Sequence, residues 1–184
     1  MTLETKFKNE QIIPDVVDEA PRSTLVVTFG TLQVDLGNEL TPTQVNSPPS
    51  VAWWPEDNSY YTLVFTDPDA PSRANPIRRE FLHWLVGNIP GGDVSKGEVL
   101  AEFLSSAPPK DSDLHRYTFL LYKQKGKVEF EEEKIPATTR EGRRHFSARK
   151  FAGKYGFGAA VAGNYYVAQW DEYVEEVNKK LAGT

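Results

Sequence analysis

An all-β sandwich with helical additions follows from three features of the sequence. Thirteen prolines and 13 glycines fall between short apolar runs, punctuation that favours strands and turns over long helices. Several of those runs alternate apolar and polar residues with the period of two that a strand needs. Only two segments carry the spacing and capping residues of a helix. Many short strands with two peripheral helices fit a sandwich, and 184 residues suit one domain, 1–184, with no repeat or low-complexity linker.

Taken in order, Thr24 to Phe29 places Leu25, Val27 and Phe29 on one face. Leu32, Val34 and Leu36 alternate with Gln33 and Asp35. Gly37 to Pro49, with Pro42, Pro48 and Pro49, reads as a loop. Tyr60 to Thr66 is a run of aromatic and β-branched residues around Leu63, the mark of a buried strand. Phe81 to Val86 is apolar except for His83, and Ser105 to Asp113 is a second loop. His115 to Lys123 alternates again, with His115, Tyr117, Phe119 and Leu121 together and Arg116 opposite. Ala159 to Trp170 reads as a strand region interrupted at Gly163-Asn164. Ser147 can cap a helix running to Tyr155 and stopping before Gly156. Asp171 can cap a terminal helix lying on the sheet, with Val174, Val177 and Leu181 as its apolar stripe.

Charge and composition remove several function classes. Acidic residues outnumber basic ones, 26 to 21, and the one dense basic stretch, Arg140 to Lys154, is short, so a nucleic-acid partner is not expected. That stretch reads as a solvated helix face in preference to a membrane-docking patch. With no cysteine, disulfides, thiolate metal sites and a cysteine nucleophile are excluded. The first residues lack the apolar run of a secretory leader, and nothing approaches the roughly 20 apolar residues of a membrane span. The expectation is a cytoplasmic protein without stable membrane insertion.

The segment with most chemical content is Thr66-Asp67-Pro68-Asp69-Ala70-Pro71-Ser72-Arg73. A Val- and Phe-rich strand runs into two carboxylates one residue apart, and proline ends the ladder and fixes the backbone. Alone, this is a turn whose aspartates cap local amides. A lone histidine in an apolar strand such as His83 is ordinarily a satisfied core residue. Ala107-Pro108-Pro109-Lys110 followed by His115-Arg116-Tyr117 repeats the pattern of a proline-fixed turn beside a strand. Two of the three histidines fall in such segments, which makes them candidates for one site.

Asp67-Pro68-Asp69-Ala70-Pro71-Ser72-Arg73 with Glu80-Phe81-Leu82-His83-Trp84, and Pro108-Pro109 with Leu114-His115-Arg116-Tyr117, resemble the two signatures of the phosphatidylethanolamine-binding protein family. The likeness runs from about Ile13 to Leu181, animal type at the last helix. It implies two antiparallel sheets in a Greek-key arrangement with peripheral and C-terminal helices. It implies cis peptides at Ala70-Pro71 and Arg79-Glu80. It also implies a pocket for phosphate or phosphorylethanolamine, lined by Asp67, Pro71, His83, Ala107, Pro108, His115 and Tyr117, with Trp53 nearby. His83 and Tyr117 are the expected phosphate donors, with Asp67 orienting a histidine or sharing a proton. Arg73, Arg79 and Arg116 are expected beneath the pocket, pairing with Asp69 and Glu80. The family generally has Gly where this chain has Ala107, and mammalian members close the pocket with an aromatic residue where this chain has Asn178.

The function so implied is non-catalytic: a monomer that binds an anionic small ligand or phospholipid headgroup and engages a kinase or serine protease, with no cofactor and no metal. The alternative is a metal-dependent hydrolase using Asp67 and the histidines, the minimum ligand pattern. Nothing in the chain resembles a nucleophile elbow.

Overall fold

The computed structural model describes all 184 residues. In chain order the elements are α1 (Leu3–Asn9), α2 (Ile12–Asp15), β1 (Ser23–Thr24), β2 (Val26–Phe29), β3 (Leu32–Gln33), β4 (Ser50–Ala52), β5 (Tyr60–Asp67), β6 (Phe81–Pro90), β7 (Glu98–Ala101), β8 (His115–Gln124), α3 (Ala148–Tyr155), β9 (Ala162–Ala168) and α4 (Tyr173–Lys180). Six strands form one sheet in the order β1-β9-β8-β5-β6-β7, and three form a second, β3-β2-β4.

The larger sheet is mixed, which corrects the expectation of two antiparallel sheets. β1 runs parallel to β9, while the other pairs are antiparallel. The expected strand from Thr24 to Phe29 is divided: Leu25 still donates its N–H to the Gly163 carbonyl at the large sheet. The next residue, Val26, already pairs with Ala52 in the small one. The predicted interruption at Gly163-Asn164 does not occur, and β9 runs through both. A Cβ at Gly163 would lie 2.7 Å from Pro21 Cγ, so only glycine lets the chain pass there. Asn164 ties the sheets together, its Nδ2 donating to the Leu25 and Val34 carbonyls.

Both faces of the large sheet are covered. On one side Phe65, Phe119, Leu121 and Tyr166 pack against Leu25, Val27, Phe29 and Val34. On the other, Val64, Leu82, Leu120 and Tyr122 pack against Phe7, Ile12, Val16 and Phe151. That double burial is why β5 lacks the apolar–polar alternation of a half-exposed strand. The N-terminal helices were not foreseen. α1 has a Thr2 cap accepting from the Thr5 N–H, but its only fully buried side chain is Phe7, too little periodicity to announce a helix.

The two expected helices are present. Ser147 Oγ accepts from the Lys150 N–H, and the helix ends at Gly156, whose φ of 67° is left-handed. The N-cap of α4 is Glu172, which makes no side-chain cap bond, in place of the expected Asp171; Asp171 accepts from the Tyr173 N–H, and Val174, Val177 and Leu181 are buried. α4 covers one end of the large sheet. It packs through Val177 and Leu181 onto Leu104, Phe81 and Ala107, at the end of the sheet where β5, β6 and β8 deliver the candidate residues.

Candidate functional site

The proline-fixed turn after β5 aims its two carboxylates at different partners. Asp67 is 3% exposed. One of its oxygens accepts from the Asp69 N–H at 2.7 Å, and the other meets His115 Nδ1 at 2.8 Å. Asp69, fully buried, accepts from the Arg116 N–H and Nε, both at 2.9 Å, and from Arg116 Nη2 at 2.6 Å. Alternation along β8 accounts for the division, since His115 and Arg116 leave the strand on opposite faces. Burial pushes the Asp69 carboxyl up, but the Arg116 guanidinium outweighs it and holds the group below the usual range.

The pKa values of the two site histidines are shifted in opposite directions. Ser112 Oγ donates to the Pro109 carbonyl at 2.7 Å, so only its lone pairs face His115 Nε2, 2.8 Å away. His115 Nδ1 faces a carboxylate. Both ring nitrogens therefore meet acceptors, a setting that calls for the imidazolium. Burial lowers the pKa of His115, and Asp67 more than restores it, leaving it raised. His83 is enclosed, with Nδ1 2.7 Å from the Leu104 carbonyl. A carbonyl only accepts, so Nδ1 carries the proton and Nε2 a lone pair. Burial pulls this ring down to about 4 against the pull of Asp67. His83 thus presents an acceptor at neutral pH, the reverse of the donor role expected from sequence. Tyr117 lies between them, its ring centroid 5.4 Å from His83 and 6.0 Å from His115. Burial keeps its hydroxyl protonated.

These groups line a cavity of about 280 Å³. Of the residues picked from sequence, Asp67, Pro71, His83, Ala107, His115 and Tyr117 share it. Pro108 is buried behind the wall, and Pro109 takes its place on the lining. Trp53 lies elsewhere, packed on Tyr61 at a centroid distance of 5.4 Å. The peptides at Ala70-Pro71 and Arg79-Glu80 are both cis. Arg79 and Arg116 reach Asp69 as expected, and both also pair with Asp15. Arg73 instead pairs with Glu10 at 3.2 Å. Glu80 is 3% exposed and accepts from Thr66 Oγ1 and from the Ala148 N–H at the start of α3. Burial pushes its carboxyl up to about 7. No three His, Asp or Glu side chains converge as a metal-ligand set.

Sequence reasoning missed the arginines of the cavity lining. Arg78, Arg140 and Arg144 line the cavity, with Phe81, Leu104, Val177 and Leu181 as apolar wall. Arg140 and Arg144 belong to the stretch read as a solvated helix face. That segment has no helix before Ala148, and its Arg143 is fully buried. Arg143 donates to the carbonyls of Leu82, Glu102, Pro136 and Thr139 at 2.8–3.0 Å, pinning the loop to β6.

Residues 23–166 match the family model described as Phosphatidylethanolamine-binding protein. "Putative odorant-binding protein A5" of Drosophila melanogaster is 41% identical over 178 residues, 96% of this chain and 85% of the relative. The "26 kDa secreted antigen" of Toxocara canis is 38% identical over 164 residues, covering 89% of this chain and 63% of its own length. Among solved structures, the solution structure of CG7054 shares 50% identity with a TM-score of 0.77, covering 94% of this chain and 99% of that one. Carboxypeptidase Y inhibitor, solved in complex with its cognate proteinase, shares 28% identity with a TM-score of 0.78, over 91% and 94% of the two chains.

Proposed function

The chain belongs to the phosphatidylethanolamine-binding protein family, and we propose that it is a non-catalytic binding protein whose cavity takes phosphate or phosphorylethanolamine-type anions. The observation that carries this reading is the state of Asp67. An anion entering the cavity does not meet a bare carboxylate, because both Asp67 oxygens are already engaged, one by the Asp69 N–H and one by His115. Tyr117 supplies a donor that stays protonated. The same engagement, with no three potential ligands converging, favours holding a ligand over metal-assisted hydrolysis.

The surface role proposed is modulation of a kinase or a serine protease. Support comes from the carboxypeptidase Y inhibitor, whose fold this chain shares at 28% identity. The cytoplasm is the compartment proposed. No helix is long and apolar enough to cross a membrane, but the Toxocara canis relative is named a secreted antigen, and cell fractionation against secreted and cytoplasmic markers decides the point.

Calorimetric titration of O-phosphorylethanolamine into the wild type and His83→Ala, at pH 6 and pH 7.5, tests the cavity. Saturable binding to the wild type and its loss in a folded His83→Ala protein is the expected result. A wild type that takes up no heat at millimolar ligand overturns the cavity reading and moves the search to protein partners.

A further inference from the structure

The rim of the cavity holds more positive charge than any group in the protein offsets. Arg78, Arg140 and Arg144 all line it, and none of the three lies within 4 Å of a carboxylate, although Arg73, Arg79, Arg116 and Arg149 each do. Arg140 is held at the edge by neutral acceptors: Nη1 donates to the Leu181 carbonyl at 3.2 Å and Nη2 to Asn178 Oδ1 at 2.8 Å. Arg144 Nε is buried with no hydrogen-bond partner, a donor left without an acceptor. Burial, then the neighbouring charges of Arg144 and Arg78, lowers the pKa of Arg140, as expected where guanidiniums crowd together.

The buried part of the lining offers an acceptor instead. Both Asp67 oxygens are engaged, one by the Asp69 N–H and one by His115, and neutral His83 offers a lone pair. The cavity therefore joins exposed and half-buried guanidiniums to buried groups that include the His83 acceptor, with Pro71, Phe81, Val177 and Leu181 also on its lining. Three uncompensated guanidiniums match a dianion. A phosphomonoester carries about −1.5 to −2 at pH 7, whereas a phosphodiester bearing an ammonium is neutral overall and leaves the arginines unanswered. Guanidinium is also the side chain best shaped to grip phosphate oxygens in pairs.

We infer that Arg78, Arg140 and Arg144 form a phosphate subsite at the cavity mouth, selecting small phosphomonoesters over phosphodiester headgroups. The phosphate sits among the guanidiniums, and a hydroxyl or ammonium on the same molecule points inward to the His83 lone pair. Asn178 is part of this subsite because its side-chain oxygen holds Arg140. The inference rests on the proposed reading of the cavity as an anion site and adds its ligand class and orientation.

Three probes titrated calorimetrically at low salt test it: O-phosphorylethanolamine, inorganic phosphate and glycerophosphorylethanolamine. The first two are phosphate dianions with and without the inward ammonium, and the third is the diester. The proteins are wild type, Arg78→Gln, Arg144→Gln and His83→Ala, each checked for folding by thermal melting. Arg78 is exposed, so its variant is a substitution the fold tolerates. The expected result is at least a tenfold preference of the wild type for O-phosphorylethanolamine over the diester. Each arginine variant should then lose about tenfold for both dianions and little for the diester, as loss of a charge-assisted phosphate contact predicts. Equal wild-type affinity for monoester and diester, unchanged in the arginine variants but lost in His83→Ala, overturns the arginine subsite while the cavity reading stands. No binding of any probe overturns both.

Discussion

Replacing Glu80 by glutamine should change how the stability of the protein depends on pH. The side chain is 3% exposed and held by Thr66 Oγ1 at 3.0 Å and the Ala148 N–H at 3.2 Å. Burial raises its pKa from 4.5 to about 7. Between those values the folded protein keeps a proton that the unfolded chain has released, so unfolding releases protons and stability falls as pH rises. The contribution is complete below pH 4.5 and gone above about pH 7. That gap of about 2.5 pH units, at about 1.36 kcal/mol each, corresponds to about 3 kcal/mol. For a chain of this length it is a melting-temperature change of about 6–12 °C. His83 works in the other direction. Its pKa falls from 6.5 to about 4, so the unfolded chain binds the extra proton and stability is lost as pH falls through that range. In the wild type the two opposing slopes offset each other over pH 4.5–6.5. Glutamine keeps the acceptor for Ala148 but cannot titrate. The stability of Glu80→Gln relative to wild type should therefore rise by about 3 kcal/mol from pH 4.5 to pH 7.5, and the variant alone should show the acid loss due to His83. Urea unfolding at half-unit pH steps measures this. A difference between the two proteins that stays constant with pH would refute the reasoning.

Three other outcomes follow from the same geometry. Asp67→Asn removes the charge that raises His115, so the imidazole titration of His115, followed by NMR, should move to lower pH while that of His83 stays low. Asp69→Ala leaves the Arg116 guanidinium, 1% exposed at the side chain, without its main partner; a loss of about 3–5 kcal/mol in urea unfolding is expected. Arg143→Lys cannot reach four carbonyls with one ammonium, and each one left unpaired costs about 1–3 kcal/mol, which thermal melting should register without any change in net charge.

Much of the scaffold was legible in the sequence because strands and helix ends are specified by near neighbours. The aromatic and β-branched run of β5, the alternation of β8, the Ser147 cap with its Gly156 stop, and the Val174, Val177 and Leu181 stripe all depend on spacing within one segment. The proline-fixed turn likewise announced that Asp67 and Asp69 would be held still, and alternation alone placed His115 and Arg116 on opposite faces. What each group faces was another matter. The protonation of His115 depends on Asp67 and Ser112, and the neutrality of His83 on burial and the Leu104 carbonyl. Likewise β1 became a parallel edge through its fit beside β9, and Arg78 came to share a rim with Arg140 and Arg144, more than 60 residues away along the chain. Local periodicity reports which side of an element is apolar. It carries no information about which distant backbone will supply a carbonyl, a carboxylate or a second guanidinium, because those meetings are set by the path of the whole chain around its two cores.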